Sequence, residues 1–143
     1  MILIDANLLA YAHDTRSPHH AAARPWLEAV LGGTEPVRIP LIALLAFVRI
    51  VTNPTLFPAP LSPDAAIEIV TGWLSQPDVA IATPTDRHWQ LFREAASGGQ
   101  ARGPLLMDAH IAALAIERGA TLMSADRGFT RFPGLRFRNP ISG

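Results

Sequence analysis

The chain has 143 residues, about half of them apolar, no cysteine and a formal net charge of zero. That length suits one domain with a hydrophobic core, and the missing cysteine excludes disulfides, thiolate zinc sites and cysteine nucleophiles. All twelve basic residues are arginine, which excludes a lysine nucleophile or a lysine phosphate contact, and overall neutrality gives no electrostatic sign of a nucleic-acid binder.

In chain order, Ile2 to Ile4 reads as a short buried strand that ends on Asp5, and Asn7 to His13 as one or two helical turns. Ser17-Pro18 places a capping hydroxyl before a proline, which predicts a helix through Trp26, Leu27 and Val30 that stops at Gly32-Gly33. Val37 to Ile39 is a second strand, and the apolar run Leu41 to Val51 a helix broken by Asn53-Pro54. Pro54, Pro58, Pro60 and Pro63 form a stiff connector, and Ser62-Pro63-Asp64 opens a helix through Leu74. Val79 to Ile81 is a third strand, followed by a helix over about Thr85 to Ala96 and a glycine-containing loop from Ser97 to Gly103. Asp108 to Arg118 is a helix closed by Gly119, Thr121 to Met123 a fourth strand, and Leu135 to Arg138 a candidate fifth. Short strands alternating with helices predict a three-layer α/β/α domain, residues 1–143, around a mostly parallel sheet of about five strands. Without a basic leader or an apolar run long enough to span a bilayer, a soluble cytoplasmic protein with no membrane partner is the expectation.

In such folds, sites form at the carboxyl ends of the strands. Asp5 follows the first strand, Asp126 comes three residues after Met123, and Asp108 sits in the first turn of the helix leading into the fourth strand. Each alone reads as readily as a cap or turn residue. Together they converge on one edge of the sheet, where three carboxylates repel unless a cation neutralises them. Oxygen-only ligands suit magnesium or manganese rather than zinc, and a carboxylate-held metal is the usual apparatus for phosphodiester hydrolysis. Asn7 and Ser124 flank the site and could orient the attacking water, or could simply cap and turn the chain. Arg127, Arg131, Arg136 and Arg138 crowd the approach to the last strand as candidate phosphate contacts, against a solvated basic edge as the plainer reading.

Other conspicuous residues carry less. His13, His19, His20 and His110 lack the spacing of metal ligands beside the acids, and His110 lies on a different side of its helix from Asp108. Trp26, Trp73 and Trp89 read as core or dimer packing. Arg49, in a very apolar helix, is either an ion-pair partner of the acids or a polar group at an edge. That helix, with the proline connector behind it, is a candidate dimer or partner surface.

Four stretches carry a family resemblance: ILIDANLLAYA at the start, SPHHAAARPWL, LLAFVRIVTNP, and MDAHIAALAIERGATLMSADRGFTRFPGLRFRNP at the end. On these, the chain resembles the PIN-domain ribonucleases, and specifically the VapC-type toxins of bacterial toxin–antitoxin pairs of the mycobacterial kind, over nearly its whole length. The resemblance implies a magnesium- or manganese-dependent endoribonuclease that acts on RNA, forms a homodimer and is neutralised by a VapB-type antitoxin inserting near the acids. Family acids carry over to Asp5, Asp108 and Asp126, and the family hydroxyl to Ser124. Two positions depart: Ala46 stands where many relatives have glutamate, and Gly128 where many have a second acid. Two readings therefore stay open, a nuclease whose metal shell is completed by water, and a catalytically weakened domain that binds RNA or protein. A phosphotransfer or receiver domain, which also begins with an acid after the first strand, is disfavoured by the absence of lysine.

Overall fold

The computed structural model describes residues 1–142. Five parallel strands form one sheet in the order β3-β2-β1-β4-β5. They are β1 (Ile2–Ile4), β2 (Val37–Pro40), β3 (Val79–Ala82), β4 (Thr121–Met123) and β5 (Arg136–Arg138). Six helices connect them: α1 (Ala6–His13), α2 (His20–Leu31), α3 (Leu41–Val51), α4 (Pro63–Leu74), α5 (His88–Gly98) and α6 (Leu105–Glu117). A short 3-10 helix, Arg127–Arg131, lies between β4 and β5.

Alternation along the strands builds two cores. Ile2 and Ile4 turn to one face of the sheet with Val37, Ile39 and Val79, against Leu8, Leu27, Phe47 and Val51 of the first helices. Leu3 and Leu122 turn to the other face, against Ile111, Leu114 and Ala115 of α6 and the buried Phe129 and Phe132. A strand covered on both sides has no polar face to show, which is why ILI and TLM read as unbroken apolar runs. The three layers, the five strands and their parallel direction agree with the sequence reading. Among the described residues, no helix is long and apolar enough to cross a membrane.

The boundaries differ where a local signal serves another purpose. Ser17 accepts from the backbone N–H of His19 in a turn, so α2 starts three residues after Ser17, at His20. Thr85 is engaged by Glu117, and α5 begins only at His88 and runs through Ser97 into Gly98, so the loop expected from Ser97 starts later. Pro104 precedes the first residue of α6, which starts three residues before Asp108. Gly119 ends α6 in the left-handed region (φ +63°), a conformation that favours glycine. By contrast, Ser62 caps α4 as expected, accepting from Ala65 N–H at 3.1 Å. Trp26 and Trp73 pack on the first core, but Trp89 does not: it is 75% exposed on α5.

Candidate active site

The strand order reverses direction between β1 and β4, and the crevice outside the carboxyl ends of those two strands is where open α/β sheets hold their ligands. Asp5 and Ser124 are the first residues past those ends. Asp5 extends the ladder through its N–H to the Met123 carbonyl at 3.0 Å, and its Oδ1 accepts from Ala6 N–H at 2.8 Å as α1 begins. Ser124 N–H donates to the Arg138 carbonyl at 3.1 Å, which ties in β5. The side chains then cross the crevice: Ser124 Oγ donates to Asp5 Oδ2 at 2.8 Å. The same oxygen accepts from Asn7 Nδ2 and from Asp126 N–H, each at 3.1 Å, while Asn7 Oδ1 accepts from Ala125 N–H at 3.3 Å.

A hydroxyl has one proton and two lone pairs, so Ser124, fully buried, is saturated. It has no capacity left to orient a water, contrary to one sequence expectation. Its work is to fix the Asp5 carboxylate. Asn7 clamps Ser124 and the following turn in the same way.

Asp126 caps the 3-10 helix, its Oδ1 accepting from Gly128 N–H at 2.8 Å. A Cβ on Gly128 would come within 2.9 Å of that oxygen, so a second acid here could not be added without moving the first. Asp108 is half-buried in the first turn of α6, where the helix dipole favours a negative charge. Burial pushes the Asp5 carboxyl above its ordinary range, the Ser124 and Ala6 bonds pull it back in part, and the charge of Asp126 raises it further. Asp108 is raised by burial, then by Asp126 and Asp5, with only Arg131 acting the other way.

The three acids therefore share one electrostatic neighbourhood. They are not drawn onto a single point: among the described residues, no three acidic or histidine side chains are gathered tightly enough to hold an ion as they stand. Like-charged carboxylates keep apart in this way when nothing between them is positive. The donor set, all oxygen and short of positive charge, fits a hard divalent cation such as magnesium or manganese.

The surrounding residues sort by the same geometry. Arg136 pairs with Thr121 at the far end of the sheet and donates to the Gly119 carbonyl, so it is a structural residue and not a phosphate contact. Arg138 pairs with Met123, beside the crevice, and Arg127 and Arg131 bracket the 3-10 helix; none of these three makes an ion pair among the described residues. Arg49 is exposed in the last turn of α3 without an ion pair, and does not serve the acids. Ala46 is half-buried on the same helix, and Glu68 is exposed on α4 and is not among the charges acting on Asp5 or Asp108. Among the described residues, no fourth acid acts on Asp5 or Asp108.

Known proteins bear on this arrangement. The model of the PIN domain family matches residues 2–135. Ribonuclease VapC43 of Mycobacterium tuberculosis is 43% identical over 143 residues, covering 100% of this chain and 97% of that protein. Ribonuclease VapC37 of the same organism is 41% identical over 140 residues, 98% of this chain and 97% of its own length. Among solved structures, VapBC2 from Rickettsia felis bound to a promoter DNA fragment superposes with a TM-score of 0.66 at 22% identity, covering 97% of this chain and 98% of that one. VapC20 of M. tuberculosis, described as a sarcin–ricin loop cleaving toxin, gives 0.65 at 16% identity, over 95% and 99%. These two show the fold. The chain belongs to the PIN-domain family, among its VapC-type members.

Proposed function

We propose that this chain, as a single VapC-type PIN domain, is an endoribonuclease toxin whose RNA hydrolysis depends on magnesium or manganese held by Asp5, Asp108 and Asp126. One observation carries the reading. Burial and neighbouring carboxylate charge raise Asp5 and Asp108 at the switch point of the sheet, where Arg131 is the one cation acting on Asp108, in a chain 43% identical to a named ribonuclease along its whole length.

When bound, a divalent ion supplies an acidified water and neutralises charge on phosphodiester oxygens. The protein's own residues do the rest. Ser124 and Asn7 hold Asp5 in one rotamer and so keep it aimed at the crevice. Asp126, pinned through Oδ1 by Gly128, keeps Oδ2 for a ligand. Arg127, Arg131 and Arg138 supply guanidinium forks for the RNA backbone at the rim. Ala46 contributes no acid, so a bound ion would draw its further ligands from water.

A VapB-type antitoxin and a second copy of the chain are the protein partners. The exposed Leu41 and Leu45 on α3 support a partner surface there, one turn apart on one helix face. A silent binding module, the competing reading from Ala46, gains no support from relatives that are named ribonucleases.

The test is RNA cleavage by the purified chain with magnesium or manganese, then with excess chelator, and by Asp5→Asn. Changing even an outer partner of a metal ligand costs about 10- to 100-fold, so loss of Asp5 itself should lower cleavage by more than roughly 100-fold. Full cleavage in chelator, or by the variant, would overturn the proposal.

A further inference from the structure

A second buried carboxylate lies between α5 and α6. The side chain of Glu117 is 0% exposed and accepts from Thr85 N–H at 3.3 Å, Thr85 Oγ1 at 3.2 Å and His88 Nδ1 at 3.1 Å. His88 Nε2 in turn meets His110 Nδ1 at 2.8 Å. A carboxylate only accepts, so His88 carries its proton on Nδ1. One hydrogen bond joins His88 Nε2 and His110 Nδ1, which leaves His110 Nε2 as the outward ring nitrogen. His110 Nε2 has no partner among the described residues and is not enclosed.

His110 lines a cavity of about 330 Å³ together with His88, Trp89, Phe92, Leu106 and Met107. Trp89, three-quarters exposed, leans on Phe92 with ring centroids 5.4 Å apart. Arg93 follows Trp89 by four residues on the same face of α5, and Arg87 precedes His88; both are exposed and make no ion pair among the described residues. Of the nearby acids, Glu94 is bonded to Gln90 and Asp86 is exposed. His110 lies two residues beyond Asp108, about 200° round the helix. The cavity and the acid pocket thus sit on opposite sides of α6, separated by roughly the 10 Å thickness of one helix.

An exposed aromatic plane, flanking arginines and one outward imidazole nitrogen suit a nucleobase, since every base offers a π-face and a hydrogen-bonding edge. A second copy of the chain fits less well. A two-fold axis through the patch would bring Arg87 and Arg93 of both copies into one contact. We propose that this cavity is a second RNA contact, taking one unstacked base of a single-stranded segment between Trp89 and His110 while the acids act on the same strand across α6. The inference rests on the ribonuclease reading, because the base belongs to the RNA being cut.

The test uses the full chain with a fluorescein-labelled twelve-nucleotide single-stranded RNA and with a dinucleotide. In an Asp5→Asn background, Trp89→Ala should weaken twelve-mer binding by roughly 5- to 100-fold, the range for one stacked base. Trp89→Phe should retain most of the binding. In the active chain, kcat/KM on the twelve-mer should fall by a similar factor, and by much less on the dinucleotide, which is too short to reach. Unchanged twelve-mer binding in Trp89→Ala would overturn the inference. So would a loss accompanied by a dimer-to-monomer shift in light scattering, which would assign the patch to a second copy. A wild-type chain that cuts neither RNA would count against the ribonuclease reading, and the anisotropy comparison would still decide this one.

Discussion

Asp5 and Glu117 are both buried carboxylates held by neighbouring donors, and they are balanced in opposite ways. Glu117 accepts from both donors of Thr85 and from His88, which meets His110 in turn. Asp5 receives only neutral donors, a backbone N–H and a serine hydroxyl, and feels the negative charge of Asp126. The first cluster is compensated from within. The second leaves a deficit of positive charge at the mouth of the sheet, and such a deficit distinguishes a ligand site from a structural network. Burial alone does not.

The largest expected effect tests how far the acid pocket depends on its support. Ser124→Ala removes the hydroxyl bonded to Asp5 and should lower magnesium-dependent cleavage by about 10- to 100-fold, the usual cost of losing a partner of a metal ligand. Because that bond holds the Asp5 carboxyl down, the acid limb of the pH–rate profile should move to higher pH. Ser124→Thr should restore both. The internally balanced cluster should respond in stability instead. Glu117→Ala leaves His88 Nδ1 and Thr85 without their acceptor and should cost about 2 kcal/mol in urea unfolding.

A finer contrast lies in the pH dependence of stability without divalent ions. Asp5 and Asp108 have raised carboxyls, so the folded state retains protons that the unfolded chain has lost. Their contribution is complete at acid pH and is lost as pH rises through the raised values. His110 is lowered, so its contribution is present above about pH 6.5, the ordinary imidazole value, and is lost as pH falls. His13, lowered chiefly by burial, adds to that second slope. In unfolding series from about pH 4 to pH 8, Asp108→Asn should flatten the decline on the alkaline side. His110→Gln should flatten the decline on the acid side.

How much of this is legible in the sequence depends on the range of each interaction. Helices α3 and α4 could be bounded to the residue because their signals are local: an apolar run between Pro40 and Asn53-Pro54, and a serine before Pro63. Asp5, Asp108 and Asp126 could be grouped because parallel strands bring their carboxyl ends to one edge whatever the details. The role of Ser124 could not be read, since a hydroxyl that orients water and one saturated by Asp5, Asn7 and Asp126 look alike in one dimension. The fates of Arg136 and Arg138 diverged through strand register, which sets one at each end of β5. His88 carries no local signal in the sequence. It reaches His110 and Glu117 only through the packing of α5 on α6, across 22 and 29 positions of chain, and no short motif announces such a cluster.

The claim that the acid pocket, and not the histidine cluster, lacks a cation can be measured directly. Manganese binding to the metal-free chain, followed by the paramagnetic signal of the free ion, should show a site in the wild type. Binding should weaken by more than about 10-fold in Asp108→Asn and stay the same in His110→Gln. Equal binding in wild type, Asp5→Asn and Asp108→Asn, or its loss in His110→Gln, would contradict the account.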